Sequence, residues 1–156
     1  MIIRRRLELG AYAALFTLAV VVDRLTKSWV LDHLDAPRII NEYLSFSFVL
    51  NRGISWGMFY SENDGTFLLI STAVIGLMIF LLSFARRRWQ EDHIIIGEVL
   101  ALAGALSNLI DRFFYRGVVD FIALNYHTLS FPVFNVADAC IVVGVVMMFV
   151  SVYIRS

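Results

Sequence analysis

Asn135-Val136-Ala137-Asp138-Ala139-Cys140-Ile141-Val142-Val143-Gly144-Val145-Val146-Met147-Met148-Phe149-Val150 places a carboxylate at the mouth of an unbroken apolar run. A hydrocarbon core about 30 Å thick needs roughly 20 apolar residues of helix, so the run reads as a membrane span. A carboxylate beside a bilayer is expensive and needs a partner or a purpose. Upstream, in Val118-Val119-Asp120-Phe121, stands a second one. Two carboxylates brought together can share one proton, leaving one as a base and the other as an acid.

The rest of the chain agrees with a membrane setting. Of its 156 residues, 60% are hydrophobic and 17% charged, with mean hydropathy +0.77. Soluble domains have roughly 45–50% apolar and about 25% charged residues. A single integral membrane domain over residues 1–156 is therefore expected. Basic and acidic residues balance at 13 each, and nothing suggests nucleic acid as a partner. The one cysteine, Cys140, excludes an internal disulfide framework and reads as a small hydrophobe. His33, His93 and His127 are all far from it in sequence.

Four stretches have the composition of spans: residues 7–31, 67–85, 94–110 and 136–154. The expected fold is mainly α, a four-helix transmembrane bundle. The segment after Arg4-Arg5-Arg6 lacks a small-residue cleavage site and reads as a retained first span. Ala101-Leu102-Ala103-Gly104-Ala105 permits close approach and should face the bundle. Arg4-Arg5-Arg6, Arg86-Arg87-Arg88 and Arg155 fall on one side, which the positive-inside rule assigns to the cytoplasm together with both termini. The outer loops, residues 32–66 and 111–135, are too aromatic for solvated linkers. Leu44-Ser45-Phe46-Ser47-Phe48 alternates as a strand, with Arg38 to Asn41 as its partner and Asn51-Arg52-Gly53 as a turn. A small extracytoplasmic β platform is expected.

The informative polar residues gather near the outer interface: Asp23, Lys27, Asn51, Asn108, Asp111, Arg112, Asp120, Asn135 and Asp138. Each also has a structural reading. Asp23 and Lys27 have the spacing of a helical ion pair, and Asp111-Arg112 reads as a local charge pair or as helix-end residues. Asn135 suits an N-cap for the last span. Glu98 should pair with a polar group in the bundle, and Phe113-Phe114-Tyr115 should form an interfacial belt. Asp138 then falls at the third helical position, where the helix dipole favours its charge, and Asp120 is left to hold the proton. On this pattern alone, a catalytic dyad and paired structural carboxylates both remain open.

Five ordered motifs change that balance: Asp23-Arg24-Leu25-Thr26-Lys27, Asn51-Arg52-Gly53, Gly104 through Arg112, Val118-Val119-Asp120-Phe121, and Phe134-Asn135-Val136-Ala137-Asp138. Together they resemble the bacterial lipoprotein signal peptidases (signal peptidase II) over nearly the whole chain. The resemblance implies an aspartic endopeptidase of the inner membrane that cuts prolipoproteins before a diacylglyceryl-modified cysteine, using neither metal nor cofactor. It implies Asp120 and Asp138 as the catalytic pair. Asn51, Asn108, Arg112 and Asn135 would position the substrate or polarise its carbonyl, with Asp23, Lys27, Asp111 and Gly53 in support. Partners would be lipid-modified prolipoproteins and membrane lipids, with the enzyme a monomer. Ile54-Ser55-Trp56 and Ser107 depart from the family's usual small residues without touching the dyad. A carrier would favour carboxylates near the midplane and repeated halves. A metal-dependent headgroup transferase would favour closely spaced aspartates on one helix, and a noncatalytic assembly factor would tolerate loss of either aspartate.

Overall fold

The computed structural model describes residues 2–53, 63–127 and 129–153. Ile54, Ser55, Trp56 and Arg155 lie outside them. The elements run α1 (Ile2–His33), β1 (Arg38–Ile39), β2 (Leu44–Asn51), α2 (Asp64–Gln90), α3 (Ile96–Tyr115), β3 (Val118–Tyr126), β4 (Leu129–Ser130) and α4 (Val136–Tyr153). The chain is mainly helical, with one small antiparallel sheet.

Among the described residues, three helices are long and apolar enough to cross a membrane: α1, α2 and α4. Their outer faces carry large side chains such as Leu69, Phe80, Val142 and Phe149, as expected where lipid replaces water. α3 differs in composition because Glu98, Asp111 and Arg112 lie within it, and all three are buried. It is the central helix, packed by the other three.

α1 and α2 extend beyond the expected limits, and α3 starts at Ile96 and runs on to Tyr115 rather than ending at Ile110. Asn63 caps α2 by accepting the Gly65 amide at 2.7 Å, so that helix starts at Asp64 rather than Phe67. It also runs on through the arginine cluster. Arg86 and Arg87 are exposed, but Arg88 turns inward to pair with Glu98 and to donate to Ser151 Oγ at 2.7 Å. Glu98 thus has its expected partner, and one arginine of the cluster holds three helices together at this end.

The tightest helix pair is α3 with α4. A Cβ on Gly97 would lie 2.6 Å from the Gly144 carbonyl oxygen, and one on Gly144 would lie 2.7 Å from the Ala101 nitrogen. Ala101 and Ala103 are buried, so the small-residue stretch faces the bundle as its sequence implies.

The four strands pair in the order β1-β2-β3-β4, all antiparallel. β2 is the alternating strand with Arg38 and Ile39 beside it, in agreement with the sequence. Residues 111–135 read as an outer loop contributing to the platform; residues up to Tyr115 instead belong to α3, and β3 is the strand that the loop supplies. Arg116 is left-handed (φ 56°), and a Cβ on Gly117 would lie 2.8 Å from Leu50. The chain therefore reverses from α3 into β3 within two residues. Val49 opposes Asp120 in the β2–β3 ladder, and Phe134 exchanges backbone bonds with Ile122. That bridge brings the first turn of α4 against β3.

Replacing Gly144 by leucine should overpack the α3–α4 seam. The expected loss is about 1–3 kcal/mol, read as a lower unfolding midpoint of the purified protein in detergent. An unchanged midpoint would mean that the seam yields at no cost.

Candidate active site

The site is built in two tiers, and the lower one is ionic. Asp23 and Lys27, one turn apart on α1, are fully buried and pair at 2.7 Å. They face a second helical row on α3, formed by Ser107, Asn108 and Asp111. Lys27 Nζ lies 2.8 Å from Asp111 Oδ2 and donates to Asn108 Oδ1 at 2.8 Å. Ser107 donates to Asp23 Oδ2 at 2.6 Å, and Arg24 pairs with Asp111 Oδ1. The remaining carboxylate capacity goes to backbone. Asp23 Oδ1 accepts the Ala137 amide at 2.8 Å, and Asp111 Oδ2 accepts the Val119 amide at 3.1 Å.

The upper tier holds Asp120 and Asp138. Asn135 joins them: its Nδ2 donates to Asp120 Oδ1 at 2.6 Å, and its Oδ1 accepts the Asp138 amide at 2.8 Å. Asp138 Oδ2 accepts the Asn135 amide at 3.3 Å, which completes a reciprocal cap on α4. Asn108 donates to Asp138 Oδ1 at 2.8 Å, and Asn51 donates to Asp120 Oδ2 at 3.0 Å. Gly53 closes the rim, its amide on Asn51 Oδ1 at 2.9 Å and its carbonyl on Arg112 Nη2.

All ten residues singled out in the sequence meet in this one cluster. Asp111 and Arg112 are not the local pair their adjacency suggests, because consecutive helical residues diverge by about 100°. Asp111 turns to Lys27 and Arg24, while Arg112 turns to Gly53 and lies over the Phe67 ring. Sequence reading missed Arg24 and Ser107 as members. The i, i+4 spacing of Ser107 and Asp111, matching that of Asp23 and Lys27, is the signal that could have found Ser107.

A cavity of about 450 Å³ opens on the upper tier. Asn51, Asn108, Arg112, Asp120 and Asp138 form its polar end, and Leu77, Met78, Ile141 and Val145 are among its apolar walls. A second apolar cavity, of about 390 Å³, reaches Asp138 past Phe131, Pro132 and Phe134. Arg112 Nη1 is buried and has no partner among the described residues. Burial, and then the charge of Asp138, push the Asp120 carboxyl up to about 7 against the opposing pull of Asn51, Asn135 and Lys27. A carboxyl that keeps its proton near neutrality therefore stands beside one whose oxygens accept two N–H bonds. That arrangement suits general acid–base attack by water on a carbonyl.

A carboxylate pair at the mouth of an apolar cavity, on a bundle with three span-length helices, describes a membrane-embedded hydrolase. The profile of the Signal peptidase (SPase) II family matches residues 15–154. The lipoprotein signal peptidase of Clostridium acetobutylicum is 37% identical over 142 residues, covering 88% of this chain and 90% of that protein. The lipoprotein signal peptidase of Thermodesulfovibrio yellowstonii is 34% identical over 132 residues, covering 83% and 86%. A bacterial membrane enzyme solved by the in meso method at 2.3 Å resolution superposes with TM-score 0.76 at 25% identity, covering 92% of this chain and 88% of that one. The chain belongs to the signal peptidase II family, and so to a family of membrane peptidases that act on lipoprotein signal peptides.

The raised Asp120 value has a consequence for stability. Its protonated form favours the fold fully below the ordinary carboxylate value of 3.8, and that contribution is lost as pH rises through about 7. Asp120→Asn stays neutral throughout. The variant should therefore gain on the wild type from acid towards mildly alkaline pH, by roughly 2–4 kcal/mol at the upper end. Unfolding midpoints in detergent across that range would show it, whereas a pH-independent difference would mean Asp120 ionises like an exposed carboxyl.

Proposed function

We propose that this chain is a membrane aspartic endopeptidase that removes signal peptides from diacylglyceryl-modified prolipoproteins, cutting before the lipidated cysteine. The observation that carries the reading is the joining of Asp120 and Asp138 through Asn135 at the polar end of an apolar cavity. Asp138, its oxygens held by Asn108 and Asn135, takes a proton from water, and the oxygen attacks the scissile carbonyl carbon. Asp120 gives its proton to the carbonyl oxygen. Arg112 Nη1 is the donor for charge developing on that oxygen, and Asn51 holds Asp120 in place. As the tetrahedral intermediate collapses, Asp138 passes its proton to the leaving amine and Asp120 recovers one from the hydroxyl. The C–N bond breaks with both carboxyls restored.

The ends of the elements support a setting for this reaction. α3, 20 residues and about 30 Å long, is the fourth crossing and completes the bundle of one peptidase domain. Arg5, Arg86 and Arg87 lie at the end of the bundle away from the dyad, which supports cytoplasmic termini and an active site near the outer face of the inner membrane. The sheet then covers the site from outside. A lipid anchored in the bilayer would hold the scissile bond at that depth, supplying proximity that a diffusing peptide lacks.

Purified protein should cleave a diacylglyceryl-modified prolipoprotein before the modified cysteine, with EDTA having no effect. Asp120→Asn and Asp138→Asn should each lose about 10²–10⁴-fold or more in kcat while remaining folded. The wild-type pH–rate profile should be a bell, since one carboxyl must be protonated and the other ionised. Failure of folded wild type to cleave, or a flat profile, would sink the reading.

Arg112→Lys should cost about 10²-fold despite keeping the charge. The guanidinium bonds the Gly53 carbonyl through one nitrogen and keeps a second, buried nitrogen without a partner among the described residues, and an ammonium cannot supply both. A silent substitution would remove Arg112 from the oxyanion role.

A further inference from the structure

Lys27 occupies a position that its own helix does not explain. Its ammonium has three protons and no accepting capacity. All three find a partner: Asp23 Oδ2 at 2.7 Å, Asp111 Oδ2 at 2.8 Å and Asn108 Oδ1 at 2.8 Å. Each partner leads to the dyad by one further bond. Asp23 holds the amide of Ala137, the residue before Asp138. Asp111 holds the amide of Val119, the residue before Asp120. Asn108 turns its NH₂ to Asp138 because its carbonyl oxygen is taken by Lys27 and Asn135.

We infer that Lys27, through Asp23, Asp111 and Asn108, is a positioning residue that sets the separation and orientation of Asp120 and Asp138. One ammonium ties together the two backbone grips, one on strand β3 and one on helix α4, which also meet through Asn135 and through the backbone bonds of Phe121 and Ile122 with Phe134. The inference rests on the peptidase reading above and adds to it how the two carboxyls are kept at a working distance. Lys27 touches neither carboxyl in question and would not touch substrate, being fully buried beneath the upper tier.

Among the described residues, the charged groups at the dyad and in the tier beneath it are Asp23, Arg24 and Lys27 on α1, Asp111 and Arg112 on α3, Asp120 on β3 and Asp138 on α4. The lower tier, Asp23, Arg24, Lys27 and Asp111, has no net formal charge. Removing Lys27 leaves it negative, which disfavours ionisation of the carboxyls above. Removing the charge of Asp23 does the reverse. The two substitutions should therefore move the activity bell in opposite directions.

The test uses full-length protein in detergent with diacylglyceryl-modified prolipoprotein, and compares wild type, Asp120→Asn, Lys27→Met, Asp23→Asn and the double variant Lys27→Met/Asp23→Asn. In Lys27→Met, kcat per folded molecule should fall about 100-fold, the scale of an ångström of misplacement. KM should stay within about threefold, and both limbs of the bell should move to higher pH. In Asp23→Asn the limbs should move to lower pH. The double variant keeps the tier neutral, so its bell should return to the wild-type position with kcat still low; it also stands in if Lys27→Met does not fold. A pin that matters only for folding would reduce the yield of folded enzyme, leaving turnover per molecule and both limbs as in wild type. That result, or a loss confined to KM, would overturn the inference. Wild type that cleaves beside an inactive Asp120→Asn would show that only the clamp had failed; inactive wild type would show that the peptidase reading itself had failed.

Discussion

Everything at the end of this molecule that holds Asp120 and Asp138 depends on burying an ammonium between two carboxylates. Desolvating charge is costly, and a lone Lys27, Asp23 or Asp111 in this bundle would be driven out or neutralised. Together they satisfy one another almost completely, with Arg24, Ser107 and two backbone amides taking up the remaining acceptor capacity. The cluster joins α1 to α3 and then reaches the first turn of α4 and the start of β3. Buried ion pairs are weak contributors to stability because their gain is offset by desolvation. Their worth here lies in geometry, since only one arrangement of four elements satisfies every group at once.

The opposite end repeats the device more simply. Arg88 leaves an otherwise exposed arginine cluster to meet Glu98, with Ser151 as its second partner, and so ties α2, α3 and α4. Between the two polar layers, small residues carry the contact. Gly97, Ala101 and Gly104 on α3 meet Ala137, Ile141 and Gly144 on α4 closely enough that an added Cβ at any of the glycines would strike backbone. With lipid as apolar as the core, packing of this kind and internal polar bonds are what hold such helices together.

Local patterns were the legible part of the sequence. The four helices, the alternating strand from Leu44, the Asp23–Lys27 pair and the Asn135 cap each depend on residues within a turn or a strand of one another, and each is present, although α1, α2 and α3 run past the limits read for them. The same residues that looked informative do converge, although the roles given to them remain part of the proposal. What escaped reading depends on distant partners. The second outer loop reads as part of a sheet-like platform, but the bounds of β3 are not legible, because its partners on β2, such as Asn51 opposite Val118, are distant in sequence. Arg24 stands only within a motif and Arg88 only within a basic cluster, and no local pattern distinguishes an inward arginine from an outward one. Asp111-Arg112 do lie near a helix end, but the charge-pair alternative fails because neighbours in sequence are not neighbours on a helix.

The reversal from α3 into β3 looks like a loop but behaves as a ruler. Asp111, on the last turns of the helix, grips the amide of Val119 eight residues on. Asp120 must then emerge on the inner face of a strand whose side chains alternate. Adding or removing a single residue around Arg116 and Gly117 would send Asp120 to the opposite face and bring its neighbour inward in its place. Surface connections in most proteins accept changes of length readily. This one cannot, and the count of residues between an ionic anchor and a reactive carboxyl is as much a part of the site as the side chains themselves.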